Sequence, residues 1–272
     1  MKLFVIARRE IKLGFRNPWA YSFLALFTFF SAALLLIQSR NSFAGYTHTT
    51  GTMINLIVYL LPLMTLLLGS FSLTAEKEDG GWQLLSTYPL SSAAFLWGKF
   101  TGLAVVLIAI VAFGFGLSGL LGWLVGRGFS AYSFAFFFLF STLLVLLFLS
   151  ISLGIGAIAG NRWQALTFGV GIWFLFILGW PTLLVALLGF VPYLWIKPLL
   201  EVLTLLNPAE LVRIFMVMRI GGGSIFGPEY YRWIAWADKP AGGFMFGAVC
   251  LLWIGVCLGL AAYLWERGRR RV

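Results

Sequence analysis

The chain alternates between long apolar runs and short polar connections. Six runs without Asp, Glu, Lys, Arg or His are 19 to 28 residues long, and a helix needs about 20 apolar residues to cross a bilayer. Because lipid offers backbone groups no hydrogen-bond partner, runs of this length are expected to be helical. The pattern predicts an all-α membrane protein with six transmembrane helices, at 19–37, 53–75, 100–125, 132–159, 165–190 and 244–265.

The segment 1–17 before the first run has its own helical pattern. Its apolar face holds Leu3, Phe4, Ala7, Ile11, Gly14 and Phe15, and its basic arc holds Lys2, Arg8, Arg9, Lys12 and Arg16. This segregation predicts an amphipathic helix on the membrane surface, ended near Asn17-Pro18. The alternative is a basic topology signal that needs no amphipathic helix.

The composition excludes a soluble protein. The chain is 61% hydrophobic and 10% charged, whereas soluble domains carry about 25% charged residues. The net charge of +10 comes largely from cations at the two chain ends, beside apolar runs. That placement is typical of membrane orientation rather than of nucleic-acid binding.

The distribution of cations among the short connections predicts the topology. With both termini inside, the inner side holds twelve Lys and Arg, and the short outer connections hold only Arg40 and Arg127. Short cytoplasmic connections are the ones enriched in Lys and Arg. We therefore expect both termini to be cytoplasmic and the protein to be a multi-pass component of the cytoplasmic (inner) membrane.

Residues for catalysis or metal binding are missing from the predicted spans. None holds an ionisable side chain of the kind that proton- or ion-coupled carriers use, and the single histidine, His48, lies in the first outer connection. No HExxH or CxxC motif occurs, and Gly98-Lys99 lacks the upstream glycine and the following Ser or Thr of a phosphate loop. We expect no enzyme activity, cofactor or metal site, so that energy must come from another chain.

The second cytoplasmic connection, 76–99, is the most informative segment. It opens with three acids and a glycine pair, continues with a short apolar helix at 82–87, and turns at Tyr88-Pro89. The spacing of Trp82, Leu84 and Leu85 favours insertion into a groove of a partner. An aromatic anchor at the lipid interface is the alternative.

The outer segment, 191–243, holds a second candidate site. Asn207 is placed to cap a helix that starts at Pro208, and that helix carries an apolar stripe of Leu211, Ile214, Phe215 and Met218. Two interpretations stay open, namely a helix on the outer lipid surface or a docking site for an extracytoplasmic partner.

These features together resemble the permease subunits of ABC-2-type transporters. The residues that carry the resemblance are the Glu-x-Glu-x-Gly-Gly loop, Thr87-Tyr88-Pro89-Leu90 and Gly98-Lys99. The stretches 78–99, 171–176 and 205–208 are most similar to the NosY-type permeases of nitrous-oxide reductase maturation. Trp82 stands where the family often has Thr, and Ser91-Ser92 where a basic residue often follows the proline, which points to a differently shaped ATPase groove.

The resemblance implies a single ABC-2 transmembrane domain over 1–272, acting as a homodimer on two ATPase subunits. A coupling helix at 81–87 would dock into the ATPase, and span five would line the dimer seam. The implied coupling residues are Glu76, Glu78, Asp79, Gly80, Gly81, Trp82, Leu84, Leu85, Tyr88, Pro89 and Lys99. The implied docking residues for an extracytoplasmic protein serving copper-site assembly are Asn207, Pro208, Leu211 and Phe215.

Two other functions compete with maturation. An exporter of the same fold would move a lipid, a drug or another hydrophobic substrate. A secondary carrier or intramembrane enzyme is disfavoured because the predicted spans lack ionisable residues.

Overall fold

The computed structural model describes residues 2–37, 47–80, 91–124, 131–226 and 239–269. In chain order the elements are α1 Lys2–Gly14, α2 Pro18–Ile37, α3 His48–Glu78, α4 Ser92–Leu124, α5 Ala131–Ile158, α6 Arg162–Trp173, a π-helical turn Phe174–Gly179, α7 Trp180–Gly189, α8 Tyr193–Leu206, α9 Pro208–Arg219, a 3-10 turn Gly223–Phe226 and α10 Pro240–Arg269. Across these described ranges every regular element is helical, which confirms the predicted all-α class.

Five helical stretches are long and apolar enough to cross a membrane. They are Thr50–Glu78, Ser92–Leu124, Tyr132–Ile158, Arg162–Gly189 and Ala241–Gly268, and each contains most or all of one predicted run. The remaining run, 19–37, lies in α2, whose apolar stretch Pro18–Leu34 is shorter. The fourth stretch joins α6, the π-turn and α7 without a break.

Two helices extend beyond the apolar runs that predicted them. α3 continues to Glu78 and α4 begins at Ser92, so that Glu76 and Lys99 are helical rather than part of a loop. An apolar run shows which part of a helix crosses lipid, but not how far the helix continues beyond the lipid. A polar last turn stays helical when other parts of the chain pair with its charged side chains. Glu76 and Lys99 have such partners.

α5 lies at the centre of the bundle, packed against α3, α4, α9 and α10. Its contact with α3 is close because small residues face the neighbour. A Cβ added at Gly156 would lie 2.8 Å from the Leu73 Cβ and 2.9 Å from the Ser70 carbonyl oxygen. Such pairs let membrane helices approach where lipid supplies no hydrophobic driving force.

α1 packs along α4 rather than resting on lipid alone. A Cβ added at Gly98 would lie 2.8 Å from the Ile6 Cβ, and one added at Gly102 would lie 2.6 Å from the Glu10 Cβ. Phe4 points away and is 72% exposed. The sequence predicts an apolar face and a basic arc for α1. Part of the α1 surface also packs on protein, because the glycines of α4 leave room for it.

The segment 191–243, which is predicted to lie outside and which we call the outer segment, contains an exposed helix and a buried one in its described part. In α8, Tyr193, Leu194 and Trp195 are largely exposed, whereas Phe215 in α9 is buried. The Phe215 ring stacks on that of Phe246, with centroids 3.9 Å apart. α9 therefore belongs to the core of the bundle.

The close contact between α3 and α5 leads to a stability prediction. Gly156→Ala should lower the thermal unfolding midpoint of the detergent-purified protein, because the added methyl group meets backbone and overpacking costs about 1–3 kcal/mol. Gly154→Ala is the matched control in the same helix, since nothing lies within 4 Å of its Cβ position. Equal midpoints for the two variants would contradict this packing.

Candidate functional site

A group of charged side chains joins α1, α3 and α4 at one end of the bundle. The Lys99 Nζ lies 2.7 Å from the Glu10 Oε1 and 3.3 Å from the Glu76 Oε1, and the Arg9 Nη1 lies 2.8 Å from the same Glu76 oxygen. We call these four residues the charge cluster and this end of the molecule the charged end. One side chain of α4 thus contacts carboxylates from two other helices.

Ser72 completes the hydrogen bonds within the cluster. Its hydroxyl donates to the Glu10 Oε2 at 2.8 Å, and the Lys99 ammonium donates to its carbonyl oxygen at 3.1 Å and its hydroxyl oxygen at 2.9 Å. The side chains of Lys99, Glu10 and Glu76 are 1%, 3% and 7% exposed. The ammonium therefore has protein partners in place of water.

The burial of these charges makes the arrangement specific. Taking a charge out of water is costly, and only close partners of opposite sign offset that cost. Two cations and two carboxylates balance within the charge cluster. Removing any one leaves a buried charge without compensation, so the cluster fixes how α1, α3 and α4 sit together.

The charge cluster also joins the two helices that flank residues 81–87, the segment predicted to dock into an ATPase. Glu76 precedes that segment in α3, and Lys99 follows it in α4. The connection between these helices departs at Gly80, whose φ of 71° is a left-handed conformation that glycine adopts without strain. A displacement of the connection therefore acts on two helices that are pinned to each other and to α1.

The last turn of α3 binds the turn between α5 and α6 as well. The Lys77 ammonium donates to the carbonyl oxygens of Gly156, Ala157 and Ala159 at 3.0, 2.8 and 2.7 Å, which satisfies the free end of α5. The Glu78 carboxylate accepts the backbone N–H of Arg162 at 2.8 Å. It also pairs with the Arg162 Nε at 2.9 Å.

α10 is joined to the same end. The Ser92 hydroxyl donates to the Glu266 carboxylate, and the rings of Phe95 and Trp265 stack with centroids 5.3 Å apart. Through α3 and α4, the charged end therefore contacts α1, α5, α6 and α10.

The structure describes five of the predicted coupling residues. Glu76, Glu78, Asp79 and Gly80 lie at the end of α3, and Lys99 lies in α4. The Lys99 ammonium faces inward and contacts α1 and α3. The other six predicted residues lie outside the described residues, namely Gly81, Trp82, Leu84, Leu85, Tyr88 and Pro89.

Sequence reasoning did not identify Glu10 and Ser72. Glu10 is the only acid in an otherwise basic amphipathic segment, and that isolation was the available signal. Ser72 carried no signal, since a serine in an apolar helix usually bonds to its own backbone.

Asn207 forms a second group of polar contacts between elements, in the outer segment. It is fully buried, and its Oδ1 accepts the backbone N–H groups of Ala209 and Glu210 at 2.9 and 3.3 Å, as the predicted cap of α9. Its Nδ2 donates to the carbonyl oxygen of Phe176 at 2.7 Å. One side chain therefore links the start of α9 to the π-turn in the membrane-length stretch 162–189.

That carbonyl belongs to the π-turn Phe174–Gly179. Pairing changes there from i→i+4 to i→i+5, which interrupts the regular helical ladder. The adjacent Trp173 indole donates to the carbonyl oxygen of Tyr59 in α3 at 2.8 Å. Two of the stretches that carried the narrower resemblance, 171–176 and 205–208, therefore meet at Asn207.

The predicted docking residues of the outer segment are buried. Asn207, Pro208, Leu211 and Phe215 are each less than 10% exposed, because α9 packs against α3, α5 and α8. In this arrangement they hold the segment onto the bundle and offer little surface to a partner. Within the part of the segment that the structure describes, α8 exposes a group of apolar side chains.

Comparisons with known proteins agree over nearly the full length. A family model described as ABC-2 family transporter protein matches residues 4–269. The chain is 31% identical over 271 residues to the "Probable ABC transporter permease protein NosY" of Stutzerimonas stutzeri, covering 96% of this chain and 97% of that protein. It is 29% identical to the protein of the same name from Pseudomonas aeruginosa, covering 97% and 98%.

The charge cluster can be tested through Lys99. Lys99→Met keeps the length of the side chain, removes the cation of the buried Glu10 carboxylate and leaves Glu76 with Arg9 alone, which should cost about 3–5 kcal/mol. We expect a lower thermal unfolding midpoint together with faster hydrogen exchange in residues 2–14. Lys12→Met removes a cation from an exposed position of α1 and should leave both unchanged; if Lys99→Met behaves like Lys12→Met, the charge cluster does not hold α1.

Proposed function

This chain belongs to the ABC-2 family of transporter proteins, and on that premise we propose that two copies of it form the membrane part of a complex with two ATPase subunits. The family and the apolar helices show a multi-pass membrane permease subunit of an ABC transporter. Family membership also implies an ABC ATPase as its partner. The number of copies and the coupling mechanism are our proposal.

The topology that we propose has six spans and places the charged end in the cytoplasm. Support comes from the cations, of which twelve fall on the inner side and two in the short outer connections. In this orientation α2 crosses the membrane, the charge cluster lies at the inner surface, and α8 and α9 belong to the outer half of the bundle. The protein is then a component of the cytoplasmic membrane.

ATP-driven movement enters, in this proposal, through the segment 81–87. Docking of the apolar residues Trp82, Leu84 and Leu85 into the ATPase would transmit force to the end of α3 and the start of α4. The charge cluster is the observation that supports this proposal, because it keeps α3 and α4 from moving independently. Tightly packed helices then move as a rigid body.

Movement would reach the outer face through the stretch 162–189. Its inner end is bound to Glu78 through Arg162, and its middle is bound to α9 through Asn207. Many of its side chains are exposed in the single chain, including Phe174 and Leu178, which supports a dimer seam along this span.

The narrower function that we propose is maturation of the copper site of nitrous-oxide reductase. The relatives named NosY and the meeting of the two resemblance stretches at Asn207 support it. An extracytoplasmic maturation protein would then bind the outer segment, where α8 exposes Tyr193, Leu194 and Trp195.

The coupling role is tested by reconstitution of the permease with its ATPase. We expect Trp82→Ala, or deletion of residues 81–87, to abolish stimulation of ATP hydrolysis by the permease. Trp123→Ala, which changes an exposed tryptophan at the far end of α4, should leave it intact. Undiminished stimulation with both Trp82→Ala and the deletion would refute coupling through this segment. Where Trp82→Ala abolishes stimulation, a fully copper-loaded reductase in cells carrying this variant would refute the maturation role.

The outward path is tested at Asn207. Serine keeps the capping oxygen but does not reach the Phe176 carbonyl, so Asn207→Ser should retain ATPase stimulation and α9 itself. We expect nucleotide-dependent changes in hydrogen exchange to persist at residues 2–14 and to disappear at residues 193–219. Persistence at both places would show that the outer segment receives movement by another route.

A further inference from the structure

A cavity of about 790 Å³ lies beside the charge cluster. Its walls come from α1, the start of α2, the second half of α3, α4 and the start of α6. Four of these elements, α1, α3, α4 and α6, are also joined at the charged end. Neither the family nor the coupling proposal assigns it a ligand.

Part of the lining of this cavity is charged. Arg9, Glu78, Asp79 and Arg162 line it, together with Glu10, Glu76 and Lys99 of the charge cluster. The Arg9 and Arg162 side chains are 54% and 52% exposed. Each guanidinium has five N–H donors and one nitrogen in the ion pair described above, so both retain donors that can bind an anionic oxygen.

Asp79 is an acceptor for a cation in the same lining. It is exposed and follows the last turn of α3, where unpaired carbonyl groups favour positive charge. Among the described residues, Asp79 takes part in no ion pair. The charged part of the lining therefore offers donors for a phosphate and a carboxylate for an amine.

Another part of the lining is apolar and aromatic. It includes Trp19, Leu68, Phe71 and Leu166. The rings of Trp19 and Phe71 meet edge to face with centroids 6.2 Å apart. A ligand that satisfies both parts carries a zwitterionic head and a hydrocarbon tail.

We propose that this cavity binds one phospholipid with a primary-amine head, of the phosphatidylethanolamine class. The phosphate binds Arg9 and Arg162, the ammonium binds Asp79 and Glu78, and an acyl chain lies along Trp19 and Phe71. The inner leaflet supplies the lipid, a detail that rests on the topology proposed above. A bound lipid joins α1 to α6 beside the charge cluster, so that the lipid composition of the membrane contributes to the stiffness of the charged end.

The test measures lipid retention by the purified permease without any ATPase, so its outcome is independent of coupling. Delipidated protein is incubated with an equimolar mixture of phosphatidylethanolamine, phosphatidylglycerol and phosphatidylcholine, and the retained lipids are read by native mass spectrometry. We expect phosphatidylethanolamine to exceed each of the others by about tenfold, the effect of one hydrogen bond between charged groups. Free glycerophosphoethanolamine, which lacks acyl chains, should not compete.

Two variants separate the charged partners. Asp79→Asn should lower the preference for phosphatidylethanolamine over phosphatidylcholine, because Glu78 alone then faces the ammonium, and Arg162→Gln should reduce retention of all three lipids. Arg16→Gln, an exposed cation that does not line the cavity, is the matched control. The preference is a ratio within one sample, so a general loss of stability does not imitate the result; equal retention of the three lipids, or an unchanged ratio in Asp79→Asn, would overturn the proposal.

Discussion

The position of a single ammonium group determines how this end of the molecule is built. Lys99 lies among the carboxylates of Glu10 and Glu76 and the hydroxyl of Ser72, almost out of contact with water. Such a group is tolerated only with its partners in place. α1, α3 and α4 therefore have little freedom to shift relative to one another. Apolar contacts are less directional and would fix the register of these helices less narrowly.

The last turn of α3 distributes this constraint to the rest of the bundle. Three consecutive residues, Glu76, Lys77 and Glu78, reach α4, the end of α5 and the start of α6. A helix whose final turn is bound on several sides does not fray there, and a movement of its end is passed on to the elements that it contacts. The same turn leads into the segment that we propose to meet the ATPase, so force applied there is shared among several helices at once.

The sequence predicted what depends on neighbouring residues and missed what depends on distant ones. Apolar runs, the amphipathic α1 and the Asn207 cap follow from local spacing and agree with the described helices. The partner of Lys99 lies 89 positions away, and no local pattern reports that distance. The burial of α9 was also missed, because an apolar stripe reads the same whether it meets lipid, a partner or the protein's own core.

The π-turn at Phe174–Gly179 has a geometric consequence for the span that contains it. A regular α-helix keeps one angular phase from end to end, but a wider turn offsets the phase of everything that follows. A helical wheel drawn through the whole stretch therefore assigns residues 180–189 to the wrong side. Substitution scans of this span are to be read in two separate frames, one up to Trp173 and another from Trp180 onward.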